Sequence, residues 1–312
     1  YFINSSGWSK EELSEKLKVD YELITKWISG EQKINLSQLE NLSKYLKRPI
    51  AAFLLSEPPK ERMMPNDFRT LPNKKGIFEK ETILAIRRAR MLQEISKDLI
   101  ENMNIVYQNN IQMIDISYSS KEIAVYFRNK YKFNDSILKK WKSAYDSFNY
   151  LRETIESNYI FVFQFPMPLE DARGFTLVDD NPKIIVVNSN DIIEARIFSL
   201  MHEFGHVLLN ESGISYPEKS FVNSVAGNVE KWCNDFASEF LLPENKAREI
   251  FENNIDSLIE FDTINSLSRK YKVSKSMLIY KMYNLEYISI EEYNKLSSIL
   301  GKSTKKNKDE DF

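Results

Sequence analysis

The chain contains two histidines, and they stand four residues apart in Ser199-Leu200-Met201-His202-Glu203-Phe204-Gly205-His206-Val207, with a glutamate after the first. On a helix, positions i and i+4 share a face one turn apart. Two neutral imidazoles on that face can grip one divalent cation. Glu203, beside them, can take a proton from water held at the ion. Histidines on an amphipathic helix can also be plain packing or surface residues. The flanks weigh against that. Phe198, Leu200 and Met201 before, and Val207, Leu208 and Leu209 after, predict a helix buried on several sides. Bare imidazoles and a carboxylate are costly there without a partner, and a metal supplies one.

The spacing is the H-E-x-x-H arrangement of zinc peptidases. Such a site needs a third protein ligand and an open fourth position. With no further histidine, the third ligand is a carboxylate or Cys233. Downstream lies Glu230-Lys231-Trp232-Cys233-Asn234-Asp235-Phe236-Ala237, in an amphipathic run that Pro243 stops. Glu230 is the expected ligand. Cys233 is the runner-up, although a lone buried cysteine also serves as a small core residue. Glu239 is a further alternative. Asn234, one turn after Glu230, can fix the tautomer of a ligating histidine, with Asp235 as its alternative. Arg196, Tyr216 and a backbone N–H all remain candidates for stabilising an oxyanion.

Residues 188–190 predict a cap for the motif helix, which runs over about 191–210. Before it come three short β runs, 159–164, 174–178 and 183–187, with a turn at 179–182. They predict a small antiparallel sheet beside the motif helix, whose edge strand can hold an extended peptide by main-chain pairing. Helices are expected over 79–103, 120–130 and 138–157. In the first, Ile83, Ile86, Leu92, Ile95, Leu99 and Met103 recur at helical spacing. In the last, Trp141, Tyr145 and Phe148 are spaced as core residues.

The N-terminal residues predict a helical bundle. Ser9 and Glu12 form a capping box, Leu13 and Leu17 make a core stripe, and Val19 sits in a short turn. A second helix over about 21–29 carries Ile24, Trp27 and Ile28 and ends at Gly30. Leu39, Leu42 and Leu46 follow on a third, and Pro49 opens a fourth. Helix, tight turn, helix is the helix-turn-helix pattern. The stretch resembles the XRE/Cro-type DNA-binding domain, whose usual first helix is only partly present at 1–7. The resemblance implies that Tyr21, Glu22, Thr25 and Lys26 face base edges or phosphates of double-stranded DNA. Nine Lys/Arg against eight Asp/Glu in residues 1–60 make it barely basic. Phosphate neutralisation normally drives affinity for DNA, so protein recognition is the competing role.

Several stretches together resemble the ImmA/IrrE family of metallopeptidases. They are 195–206 with the histidine motif, Glu230 with Asn234-Asp235-Phe236-Ala237, and Leu241-Leu242-Pro243. Asp67-Phe68-Arg69-Thr70 and Gly174-Phe175 with Pro182 and Val187-Asn188 also fit members that carry an N-terminal XRE domain. The resemblance covers essentially the whole chain. It implies a zinc-dependent, gluzincin-like endopeptidase that cleaves a repressor protein and so releases transcription. His202, His206 and Glu230 would be the ligands and Glu203 the base, with Zn2+ as the ion and Mn2+ or another divalent ion as alternatives.

At 312 residues the chain has room for two or three domains. The expected class is mainly α with a small antiparallel sheet (α+β). The divisions are a helix-turn-helix domain at 1–56, a Pro-rich linker at 57–78, a metallopeptidase domain at 79–254, C-terminal helices at 255–301 and a charged, disordered tail at 302–312. The stretch 267–273 echoes 13–19 and reads as a second helix-turn-helix-like unit or as two helices closing the peptidase core. A net charge of -2 argues against a general polyanion binder. The single Cys233 allows no internal disulfide and favours a reducing cytoplasm. No apolar run approaches a membrane span. Three functions compete: a regulatory zinc endopeptidase, a DNA-binding transcriptional regulator whose metal site is sensory or structural, and an inactive scaffold stabilised by metal. An intact Glu203 favours the first, because a purely structural site needs no base.

Overall fold

Helices dominate the computed structural model, and they enclose one five-stranded sheet. Residues 1–3, 5–58, 66–67, 78–104, 111–215 and 225–309 are described, with the backbone alone at 66–67, 213–215, 225–226 and 301–309.

At the N-terminus Ser9 caps α1 (Lys10–Leu17), with both bonds of its capping box to Glu12 in place at 3.1 Å. A turn with Lys18 at φ 55° leads to α2 (Tyr21–Ser29), which Gly30 ends in the left-handed region at φ 80°. α3 (Leu36–Leu46) and α4 (Ile50–Phe53) complete the unit. Leu13, Ile24, Trp27, Leu42 and Leu46 meet in its core. Where a partial helix is expected at 1–7, residues 2–3 and 5–7 instead form turns, with Ser5 N–H donating to Tyr1 O and Ser6 N–H to Ile3 O. Gly7 at φ 77° bends this run against the helix that follows the linker, where a Cβ would lie 3.0 Å from Lys80 Cα.

That helix is α5 (Lys80–Asn102), preceded by the short strand β1 (Asn66–Asp67). Then come α6 (Ser120–Lys130), α7 (Asp135–Leu138) and α8 (Ala144–Glu156). The expected helix over 138–157 therefore starts later. Ser143 and Asp146 form a capping box that restarts the chain after a break. Of its expected core residues, Phe148 is buried, Trp141 is half-buried and Tyr145 is exposed.

The sheet holds β2 (Ile160–Phe165), β3 (Gly174–Leu177) and β4 (Lys183–Asn188), with β5 (Gly213–Ser215) arriving after α9 (Ile193–Leu209). Its order is β1-β5-β3-β4-β2. β3 and β4 form the expected antiparallel pair, Phe175 opposite Val186. β2 runs parallel to β4, and β1 runs parallel to β5, so the sheet is mixed rather than purely antiparallel. β4 is buried at all six positions, as a strand covered on both faces must be. Ile184 and Val186 face α5 with Phe175 and Leu177. Ile185 and Val187 face α8 and α9 with Leu151, Ile197, Leu200 and Phe204. β3 and β4, the strands under α9, are interior, so neither is the edge strand expected beside the motif helix.

α10 (Val225–Leu241), α11 (Glu244–Glu252), α12 (Phe261–Tyr271), α13 (Lys275–Asn284) and α14 (Ile290–Asp309) close the chain. The echo between 267–273 and 13–19 is geometric as well. Ser14 Oγ donates to Val19 O at 2.9 Å and Ser268 Oγ to Val273 O at 2.6 Å, with Lys18 and Lys272 both left-handed. α2 packs in the core of the N-terminal unit, however, whereas α13 buries Met277, Leu278, Ile279 and Met282 in the same core as residues of α9 and α10. The tail expected to be disordered continues α14 as helix to Asp309, consistent with its good helix formers and lack of proline. Among the described residues no helix is long and apolar enough to cross a membrane.

Candidate metal centre

α9 lies over β3 and β4 on one side and against α10 on the other. Eleven of its residues are buried, His202, Glu203 and His206 among them. Gly205 explains how closely α10 comes. A Cβ there would lie 3.1 Å from Cys233 Sγ and 3.3 Å from Cys233 Cα. A glycine costs a helix interior about 1 kcal/mol relative to alanine, and here it lets two helix backbones meet. The contact sets the register of α10. Glu230 and Asn234, one turn apart, both face the histidines.

The resulting geometry is tight. Glu230 Oε2 lies 3.3 Å from His202 Nε2, and Oε1 lies 3.1 Å from His206 Nε2. The two Nε2 atoms are 3.2 Å apart. Candidate donor atoms from His202, His206 and Glu230 all lie within 4.8 Å of one another. Asn234 Oδ1 sits 2.8 Å from His202 Nδ1. A carbonyl oxygen only accepts, so it holds the ring proton on Nδ1 and leaves the Nε2 lone pair pointing at the cluster. Two imidazole nitrogens and a carboxylate converging on one point, one ring already held in its ligating tautomer, form a donor set that fits a divalent transition metal.

Electrostatics agree with that donor set. Burial alone would push the Glu230 carboxyl up, but the two imidazoles outweigh it and hold the group well below the usual carboxylate range. Burial alone would lower His202, but the Glu230 carboxylate overcomes this, with help from Glu203, and raises it above its ordinary value.

Glu203 is fully buried and turns toward β3. Thr176 Oγ1 donates to its Oε2 at 2.5 Å. Gly174, two residues earlier on the same face of β3, leaves the room its carboxyl occupies. A Cβ there would lie 2.8 Å from Glu203 Oε1 and 2.8 Å from Val186 O. The sequence analysis assigns neither Gly174 nor Thr176 a part in the site. The available signal was a glycine and a threonine alternating with Phe175 and Leu177, small or polar on one face and apolar on the other.

The alternatives fall elsewhere. Cys233 packs against Gly205, and burial pushes its thiol well up, away from the thiolate a metal needs. Glu239 forms a buried ion pair with Lys281 at 2.9 Å and accepts from Glu244 N–H at the start of α11. Asp235 pairs at the surface with Lys231. The Arg196 guanidinium is engaged at the start of α9, donating to Asp191 O at 2.7 Å and Gln164 Oε1 at 3.2 Å. Tyr216 and residues 68–70 lie outside the described residues. On α2, Tyr21, Glu22, Thr25 and Lys26 are all exposed on one side of the N-terminal unit.

Fold and site together define a metallopeptidase-like domain, with a buried His/His/Glu group suited to a divalent metal, carried behind a helix-turn-helix unit. Residues 155–283 match the peptidase family described as the IrrE N-terminal-like domain, and residues 2–53 match the helix-turn-helix family. The chain thus has the architecture of an XRE-type helix-turn-helix joined to an ImmA/IrrE-type peptidase. No curated protein matches it.

Proposed function

We propose that this protein is a regulatory zinc endopeptidase, gluzincin-like, that cleaves a transcriptional repressor. The observation that carries the proposal is the convergence of His202, His206 and Glu230 on one point, with the buried Glu203 directly after His202 on the same helix. The two Nε2 atoms and the Glu230 carboxylate are the ligands, with Zn2+ the expected ion and Mn2+ an alternative. A divalent ion in this cradle supplies Lewis acidity, which lowers the pKa of water and polarises the scissile carbonyl. Glu203 is the base: it accepts the proton that water gives up and passes it to the leaving amine. Thr176 holds Glu203 Oε2 and so fixes the rotamer from which that transfer occurs. Asn234 keeps His202 in the tautomer that binds through Nε2. The domain limits that follow are 1–56, 57–78, 79–254 and 255–301, with the tail at 302–312, and the setting is the cytoplasm, beside the DNA the repressor occupies.

The decisive experiment incubates the full-length protein and Zn2+ with the repressor encoded beside its gene. Cleavage by the wild type and none by Glu203→Gln is the expected result. An equal rate from both removes Glu203 from the mechanism. A second reading, a DNA-binding regulator whose metal is sensory or structural, is favoured by the exposed face of α2. A salt-dependent mobility shift on neighbouring promoter DNA, lost on Lys26→Glu, together with no cleavage, would support it.

A further inference from the structure

The outer face of α5 carries a line of apolar side chains that no described residue covers. Met91, Ile95, Leu99 and Met103 are 51%, 45%, 53% and 66% exposed. Spaced by four, they follow one side of the helix and its last turn. The sequence pattern counts Ile95, Leu99 and Met103 as core. Met91 and Ile95 stand on the side of α5 away from its buried Ala89 and Gln93, so the sheet does not cover them, and Leu99 and Met103 lie past the sheet's end. A 23-residue helix is roughly 35 Å long, and a six-residue strand spans about 20 Å. Gln93 already reaches the turn between β3 and β4, where it donates to Pro182 O at 3.1 Å. Lys97 pairs with Asp180 in the same turn. The residues beyond overhang.

We propose that this face pairs with α5 of a second copy of the chain, antiparallel, about a two-fold axis at Ile95. An isologous contact requires a face that complements itself on reversal, and this one does so twice. Met91 and Leu99 stand four residues to either side of Ile95, so reversal lays Met91 of each copy on Leu99 of the other. The charges reverse in the same way. Arg88 is exposed, with its guanidinium 4.8 Å over the Phe165 ring, seven residues before the axis. Asp98 and Glu101, also exposed, come three and six residues after it. The antiparallel pair therefore brings Arg88 beside the turn that carries Asp98 and Glu101 of the second copy. A parallel pair would set Arg88 against Arg88. One helix pair covers less than the ~800 Å² per partner of a typical stable interface, which places it among weak, reversible contacts.

The test is sedimentation equilibrium of the full-length protein from about 1 to about 100 µM, where a weak, reversible contact shows as a mass that rises with concentration. The mass should rise from 36.7 kDa toward twice that value. Ile95→Glu should stay at one protomer with unchanged circular dichroism. Arg88→Glu should weaken the dimer several-fold, and adding Glu101→Arg should restore it. Register is read by cross-linking, since the native Cys233 is buried. Under mild oxidation Ile95→Cys should link to itself, and Leu99→Cys should link to Met91→Cys but not to itself. A chain that stays monomeric throughout overturns the proposal, and so does a dimer untouched by Ile95→Glu. Leu99→Cys linking to itself as readily as Ile95→Cys overturns it too, as does a monomeric chain whose stripe is occupied by a different protein.

Discussion

Thr176 on β3 donates its hydroxyl proton to Glu203 Oε2 on α9 across 2.5 Å, and both side chains are fully buried. The bond joins the sheet to the motif helix at Glu203, the residue proposed as the base. It also makes the position of Glu203 a property of the strand register, because Gly174 on the same face leaves the space beside Oε1.

Thr176→Val should therefore remove the donor and leave a buried carboxylate under-solvated. The expected cost is about 1–3 kcal/mol of stability, with a fall in peptide-bond cleavage. Thr176→Ser, which keeps the hydroxyl, should recover most of both. Gly174→Ala should do at least as much harm, because its new methyl meets the Val186 carbonyl as well as Glu203. Thermal melts alongside cleavage rates measure these effects. Equal behaviour of the valine and serine variants would show that the hydroxyl does not matter.

Asn234→Ala removes the acceptor that holds His202 Nδ1–H. Orienting partners of this kind typically contribute 10–100-fold in metal affinity. Competition against a zinc chelator should find a loss in about that range. An Asn234→Asp variant, which keeps an acceptor at the same place, should lose less.

The pH dependence of metal stabilisation follows from the same cluster. The raised His202 stabilises the metal-free fold below the imidazole's unfolded pKa, and that contribution disappears as pH rises through the folded value. The depressed Glu230 stabilises it above the unfolded carboxyl pKa, and that contribution disappears as pH falls through the folded value. The metal-free cradle is thus steadiest in mildly acidic solution. A cation competes with protons for the same ligand atoms. Added Zn2+ should raise the melting temperature more at about pH 7.5 than at about pH 5.5. An increment that is equal at both, or larger in acid, would count against these ligands.

The site was more legible in the sequence than the fold around it. His202, Glu203 and His206 declare themselves because their geometry is local to one helix, and Glu230 and Asn234 because they share one face of the next. Thr176 did not, since it meets Glu203 across 27 residues and only strand pairing brings them together. Strand direction was equally hidden. The apolar runs of β2 and β4 say that both are buried, and nothing in them says that they run parallel. The periodicity of α5 was visible, but whether a partner lies under its last turns depends on how far the sheet extends, which no helical pattern encodes. Gly205 has its reason only in three dimensions, where Cys233 packs against it.

Metal content of the purified full-length protein bears most directly on the central claim. Elemental analysis after dialysis into zinc-containing and then metal-free buffer should find one divalent ion per chain. His206→Ala and Glu230→Gln, each still folded by circular dichroism, should retain almost none. A wild type without stoichiometric metal, or a Glu230→Gln variant that holds it as tightly as the wild type, would contradict the convergence of these three residues on an ion.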